Sequence, residues 1–206
     1  MLRVDGISRR YGELTVVDKL SFTVNEGEFV ALLGPSGCGK STSLKMIAGL
    51  EMPDEGNIEL DGRDITQLSP GERKLAMVFQ SYALFPHLKV EENIIFGLQA
   101  RKVPKDEQKR RLDSVVELVG LGDHLQKKPG QLSGGQCQRV ALARAIVAQA
   151  KLCLMDEPLS NLDAKLRNEM RTEIRALQQR LGMSVIYVTH DKGEPMSVCD
   201  RMGVMT

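Results

Sequence analysis

Three features of the chain predict an α/β fold with a mostly parallel core sheet. Four short apolar runs, Phe29 to Leu33, Leu75 to Phe79, Leu152 to Met155 and Ser184 to Thr189, read as strands buried on both faces. Segments with helical apolar spacing lie between them, first Leu44, Ile47, Ala48 and Leu50, and later Leu166, Met170, Ile174, Leu177 and Leu181. A glycine-rich stretch joins the first apolar run to the first helix, at the strand-to-helix junction where parallel α/β sheets bind ligands.

Taken in order, Leu2, Val4 and Ile7 predict an edge strand. Leu20, Phe22 and Val24 alternate up to the turn Asn25-Glu26-Gly27, which predicts an antiparallel hairpin returning into Phe29 to Leu33. The first helix runs with its apolar stripe through Leu50 towards Pro53, and Ile58-Glu59-Leu60 before Asp61-Gly62 predicts a second hairpin. Ser69-Pro70-Gly71-Glu72 has the composition of a short capped helix, and Leu75 to Phe79 ends on Gln80. From Tyr82 to about Ala150 the strand-like runs vanish. One helix there starts at Pro104 and stops at Gly120, with Leu112, Val115, Val116 and Val119 as its stripe, and an alanine-rich helix follows Ser133. Asp163 is positioned to cap a long helix that ends at Gly182, and one more short strand precedes Thr206. The expected division is a core with its β subdomain over about 1–81 and 151–206, and a helical insertion over about 82–150.

The 206 residues carry a net charge of +1 and are 42% hydrophobic, which suits one compact domain and removes the global basic field that nucleic-acid binding calls for. The runs Lys105 to Arg111 and Lys127-Lys128 read as solvated helix surface. Cys38, Cys137, Cys153 and Cys199 are widely spaced with no C-x-x-C pair, the usage of reduced thiols rather than zinc or a disulfide frame. No stretch has the length of a membrane span and the first residues lack the order of a signal peptide, so a cytosolic chain is expected, tethered only through a partner.

The chemistry concentrates at the strand ends. Gly34-Pro35-Ser36-Gly37-Cys38-Gly39-Lys40-Ser41 fits the phosphate-cradling pattern G-x-x-x-x-G-K-[ST]. Its glycines let successive N–H groups point inward, and the helix opening at Lys40 presents its positive end to the same anion. Lys40 would reach the β- and γ-phosphates and the Ser41 hydroxyl would sit on Mg²⁺. Cys38, inside this loop beside a lysine, is open to two readings, a thiol of lowered pKa or filler in a tight turn. Asp156 and Glu157, adjacent carboxylates at the mouth of a buried strand, need a cation or a role; in a phosphate-loop protein Asp156 would hold the Mg²⁺ shell and Glu157 would polarise the attacking water. Gln80 and His190 stand at the ends of two further strands, and His190 at that level can reach a γ-phosphate oxygen. Ser133-Gly134-Gly135-Gln136 is either a simple capped helix start or a second anion site. Tyr11, an aromatic upstream of the phosphate loop, either packs or stacks on a base.

In this order and spacing, these stretches resemble the ATP-binding cassette of ABC transporters over nearly the whole chain. Gly34 to Ser41, with Thr42 after it, resembles Walker A, Gln80 the Q-loop and Leu132 to Gln136 the LSGGQ signature. Leu152 to Glu157 resembles Walker B with the catalytic glutamate, Ser160-Asn161-Leu162-Asp163 the D-loop, His190 the switch histidine and Tyr11 the adenine-stacking position. The resemblance implies a P-loop NTPase of the ABC type, with an N-terminal antiparallel β subdomain and a helical signature insertion. It implies an ATPase in which Ser41, Gln80 and Asp156 hold Mg²⁺ and two cassettes pair head to tail, so that Ser133 to Gln136 and Asp163 of one finish the ATP site of the other. The implied partners are a second copy or a paralogue, transmembrane permease subunits and, indirectly, a solute-binding protein, with no nucleic acid, on the inner face of the cell membrane.

Tyr82 to His87 and Glu157 to Arg167 resemble importers of the maltose and glycerol-3-phosphate type, whose relatives take up polyamines, ferric iron or phosphonates; a non-transport cassette is the alternative of a different class. Three departures from that pattern stand out. Cys137 replaces a basic or polar residue, which is expected to weaken the helix surface beside the signature. Pro195 replaces a helix former and is expected to tilt a first turn. The importers also continue past the position of Thr206, so the end of the core and any regulatory domain are expected to be missing.

Overall fold

The structure, a computed structural model, describes residues 1–191 and 198–206, and Pro195 falls outside them. The chain divides into two compact units. The first contains residues 1–77, 151–157 and 171–206, and the second residues 78–150 and 158–170.

The first unit holds two sheets. Strands β1 (Leu2–Tyr11), β2 (Leu14–Val24), β4 (Glu55–Leu60) and β5 (Arg63–Asp64) form an antiparallel sheet in the order β2-β1-β4-β5. This corrects the first expectation: the Leu2 strand is central, not an edge. Leu2, Val4 and Ile7 are buried in the core, and the strand is paired on both sides, to Val24, Phe22 and Leu20 on one and, for Leu2 and Val4, to Leu60 and Ile58 on the other. The hairpin is likewise β1 to β2, turning at Gly12-Glu13, and not the expected return into Phe29. The phase of β2 changes at Lys19, whose φ of 46° and N–H bond to the buried Ser8 hydroxyl mark a bulge, so Val17 and Leu20 face one side although three residues apart.

The second sheet has the order β6-β7-β8-β3-β9, from β3 (Phe29–Leu33), β6 (Ala76–Val78), β7 (Leu152–Asp156), β8 (Ser184–Thr189) and β9 (Arg201–Val204). The pairings β7 with β8, β8 with β3 and β3 with β9 are parallel; β3, β7 and β8 are buried throughout, as their unbroken apolar runs predict, whereas β9 is a largely exposed edge. Helix α1 (Lys40–Ala48) joins the two sheets in one core, where Leu44, Met46 and Ile47 meet Leu2, Ile7, Val30, Ile58, Leu154 and Ile186. Leu50 stands beyond the C-cap Gly49 and is exposed, so the stripe ends earlier than its spacing implied. The Asp61-Gly62 hairpin is present, both residues having positive φ as a two-residue primed turn demands. Helix α2 (Pro70–Arg73) starts at a Ser69/Glu72 capping box.

The second unit is helical. It contains α3 (Val90–Ala100), α4 (Lys105–Val119), α5 (Gly134–Val147) and the start of α6 (Ala164–Leu181), which continues into the first unit. Pro104 and Gly120 cap α4 and bury Val115, Val116 and Val119 between them, while Leu112 is half-buried. On α6, Met170, Ile174 and Leu177 are buried but Leu181 is exposed at the last turn. Among the described residues no helix is long and apolar enough to cross a membrane.

Candidate functional site

In the first unit every residue of β3 is buried, and the chain leaves it through Gly34 into the exposed Pro35, Ser36 and Gly37 before Lys40 starts α1. Gly39 is the N-cap, at φ 90° and ψ 6°, and makes no side-chain cap. Glycine is required there twice over: a Cβ would strain the left-handed backbone and would lie 2.4 Å from the Val16 carbonyl oxygen of β2. The first-turn N–H groups of α1 are therefore uncapped by any side chain and open beside the exposed loop.

Lys40 is 4% exposed, and its Nζ donates to the carbonyls of Gly34 and Pro35, both at 2.8 Å. Cys38 Sγ lies 3.8 Å from the same Nζ. The ammonium is thus oriented by carbonyl dipoles, and no carboxylate lies within ion-pair distance of it among the described residues. Ser41 and Thr42 follow, half-buried, on the first turn.

The Ser41 hydroxyl donates to Asp156 Oδ1 at 2.7 Å, across 115 residues of sequence. Asp156 ends β7 and is 9% exposed. Burial holds its carboxyl above the ordinary aspartate range and the neighbouring Glu157 adds to the rise, while the Ser41 bond and the Lys45 and Lys40 ammoniums pull it down. A hydroxyl and a desolvated carboxylate at this distance are hard oxygen donors that fit a small divalent cation. The sign of the shift has a testable consequence. A carboxyl whose folded pKa is raised destabilises the fold once pH exceeds the ordinary aspartate value, and fully so above the raised one. Asp156→Asn is therefore expected to raise the nucleotide-free melting temperature at pH 7, by a stability gain on the order of 1 kcal/mol. That gain should vanish below about pH 3.9; calorimetry across pH measures both.

Glu157 follows in a left-handed conformation, φ 44°, which costs a non-glycine residue roughly 1–3 kcal/mol. Its N–H is tied to Val188 O of β8 at 3.0 Å, and its Oε2 lies 3.1 Å from His190 Nδ1. Glu157 is mostly enclosed and His190 half-exposed, so the pair stands at the mouth of the sheet. Tyr11 is the last residue of β1 rather than part of a loop, 45% exposed at the hairpin end. Because β2 starts three residues later and passes Gly39 at Val16, the hairpin lies beside the Gly34–Gly39 loop.

The second unit brings together a different set. Gln80 is exposed just past β6, and its carbonyl accepts from Asn161 Nδ2 at 2.8 Å. Tyr82 and Ala83 are both left-handed, and the turn they make is held by Arg144 of α5, which donates to Ala83 O at 2.5 Å and lies over the Phe85 ring. Ser133 caps α5 in a capping box with Gln136, whose side-chain oxygen accepts from Ser133 N at 2.9 Å. The Gln136 Nε2 lies 3.2 Å from His124 Nε2. A Cβ on Gly134 or Gly135 would press on Leu162 or Leu166, at 3.2 and 3.0 Å, so the first turn of α5 sits directly on the segment that opens α6. Asp163 Oδ1 accepts from Leu166 N at 3.0 Å as the N-cap of that helix. Cys137, expected on the helix surface, is half-buried beneath the Pro129 carbonyl, and burial pushes its thiol up. Sequence reasoning missed Asn93, fully buried, whose amide holds the backbone of Phe85, Leu88 and Lys89. A lone Asn inside a helical pattern carried no signal for it.

The family model described as ABC transporter matches residues 17–160. Among similar proteins, the sn-glycerol-3-phosphate import ATP-binding protein of Ruegeria pomeroyi is 51% identical over 99% of this chain and 58% of its own length. The trehalose/maltose import ATP-binding protein of Thermococcus litoralis is 52% identical over 99% of this chain and 56% of its own. The Fe(3+) ions import ATP-binding protein of Fusobacterium nucleatum is 50% identical, over 99% and 55%. The chain thus spans little more than half the length of the curated relatives it matches.

Proposed function

Because the chain belongs to the ABC transporter family, we propose that it is the ATP-binding and ATP-hydrolysing part of an importer. The observation that carries this reading is the Ser41 to Asp156 hydrogen bond beside the carbonyl-held Lys40. Those groups meet the needs of a nucleotide triphosphate and its metal: the loop Gly34 to Ser41 with Thr42, whose first-turn amides no side chain caps, one ammonium, and a hydroxyl and carboxylate for Mg²⁺, with Gln80 assigned in this reading as a further Mg²⁺ ligand. Mg²⁺, when bound, supplies charge neutralisation on the phosphate oxygens. Glu157 takes the proton of the attacking water, His190 holds Glu157 and faces the γ-phosphate, and Tyr11 stacks on the base. Ser133 to Gln136 and Asp163 serve the site of a second copy or a paralogue, since a capped helix start with bare glycines offers N–H groups to an anion.

In the same reading, residues 1–81 and 151–206 are the catalytic core, and 82–150 is the signature subdomain that passes motion to permease subunits on the inner face of the membrane. A solute-binding protein delivers the cargo and no nucleic acid takes part. The names of the glycerol-3-phosphate and maltose relatives favour a sugar or glycerol-3-phosphate solute, ahead of ferric iron, polyamine or phosphonate. The test is equilibrium binding of ATP and release of phosphate with and without Mg²⁺. Binding is expected to fall by about 10-fold or more in Lys40→Ala, the worth of a charge-assisted bond, and turnover should require Mg²⁺. Wild-type protein that binds no nucleotide would end the proposal; binding without turnover at high protein concentration would reduce it to a nucleotide-binding module.

A further inference from the structure

Tyr11 is held from two directions by residues outside the motifs. Its hydroxyl donates to Glu51 Oε2, and the Arg9 guanidinium lies over its ring, 5.0 Å from the centroid. Neither partner is itself loose. Arg9 Nη1 donates to Asp54 Oδ1 at 2.8 Å, while Asp54 Oδ2 accepts from Arg10 N at 2.7 Å and Asp54 N donates to Ser8 O at 2.8 Å, which rivets this loop to β1. Glu51 lies two residues past Gly49, the C-cap of α1, and is tied back to that helix: its N–H and that of Leu50 both donate to Lys45 O, at 3.3 and 2.9 Å. Its carboxylate is 3.8 Å from the Lys45 ammonium and 3.8 Å from Arg9 Nε. The segment that leaves the helix begun at Lys40 therefore carries a carboxylate that grips the tyrosine.

We propose that Glu51 and Arg9 are positioning residues for the purine: Glu51 fixes the tilt of the Tyr11 ring relative to α1, and Arg9 occupies one ring face so that the base stacks on the other. This rests on the reading of Tyr11 as the base platform. A stacking ring is useful only if it is already in place when the phosphates bind, because ordering an exposed side chain on binding costs affinity. Glu51 supplies that order through the same helix whose first turn receives the phosphates, so the distance from phosphate cradle to base plane is set by the length of α1. Arg9 makes the arrangement one-sided, since a guanidinium on one face leaves a single face for the base.

The test compares ATP with inorganic tripolyphosphate, which has the phosphates and no base, in Mg²⁺-free binding titrations of the full chain. Tyr11→Ala is expected to weaken ATP by about 10-fold, the worth of one stacked base, and to leave tripolyphosphate unchanged. Glu51→Ala is expected to weaken ATP by roughly 3- to 10-fold, again with tripolyphosphate unchanged, which also shows that the variant is folded. Tyr11→Phe, which keeps the ring and loses the hydroxyl, should give a similar loss, and Glu51→Ala added to Tyr11→Phe should cost nothing more. Arg9→Met should cost ATP alone as well. Equal losses for both ligands in Glu51→Ala, additive losses in the double variant, or no loss at all would overturn the proposal. Tyr11→Ala with an unchanged ATP to tripolyphosphate ratio would instead sink the base-platform reading beneath it.

Discussion

Replacing Glu157 by Gln is expected to lower ATP hydrolysis by roughly 10²- to 10⁴-fold, the range that loss of a positioned general base produces, while ATP binding stays within about 3-fold of wild type. Gln is the informative choice because it leaves the surroundings alone. Like Glu, it must adopt φ 44° there, so the backbone strain is unchanged, and the N–H bond to Val188 O survives. Its amide can also keep the 3.1 Å contact with His190 by choosing which end it presents. What changes is the ability to accept a proton. If two copies close around ATP, the variant should also accumulate as a nucleotide-bound dimer, because closure no longer leads to turnover. Glu157→Gly separates strain from chemistry: it should be as inactive as Glu157→Gln yet more stable by about 1 kcal/mol, since glycine adopts positive φ without a Cβ clash. Size-exclusion chromatography with ATP and a phosphate-release assay decide the first result, and urea denaturation the second. Hydrolysis surviving in Glu157→Gln would mean that the water is activated from elsewhere.

The parts of this site that were legible in the chain are those where physics forces a local pattern. A strand buried on both faces must be an uninterrupted apolar run, and a tight strand-to-helix loop must carry its glycines where the backbone turns, so Phe29–Leu33, the loop Gly34–Gly39 opening α1 and Leu152–Asp156 could be read directly. What could not be read depends on partners distant in sequence. Nothing in Leu2-Arg3-Val4 says whether one neighbour or two will pair with it, which is why the strand was expected at an edge. Alternation in Leu20, Phe22 and Val24 predicts a strand but not that the turn at Gly12-Glu13 pairs it with β1, nor that the bulge at Lys19 shifts its phase. The cluster of Arg9, Glu51 and Asp54 joins residues over 40 positions apart that look like ordinary surface charge in the chain. Its roles come from geometry alone.

Arg73 carries a large expected stability effect, and it too is invisible as a motif. It is 2% exposed, and its guanidinium donates to four backbone carbonyls: Leu68 O at 2.9 Å, Met46 O at 2.6 Å, Ile47 O at 2.9 Å and Thr66 O at 2.7 Å. Two of these, Met46 and Ile47, are carbonyls of the last turn of α1; the Met46 oxygen also accepts from the C-cap N–H of Gly49 at 3.2 Å, and Arg73 supplies donors to both. The cation also sits at the negative end of that helix. Burial lowers the Arg73 pKa and the Asp64 carboxylate opposes it, yet a guanidinium stays charged through the working pH range. The cost of burying it is thus offset by a fan of donors that only a planar fork provides. Arg73→Met strips the donors and leaves buried carbonyls unpaired, so a loss of about 3–5 kcal/mol is expected. Arg73→Lys should recover little of it, because one ammonium cannot reach carbonyls spread over both α1 and the Thr66–Leu68 segment. Both losses should be flat from pH 5 to 9, since nothing in this cluster titrates there, and urea midpoints at several pH values measure them. A loss under about 1 kcal/mol for Arg73→Met would mean that water replaces the guanidinium, and that the end of α1 is less enclosed than its contacts imply.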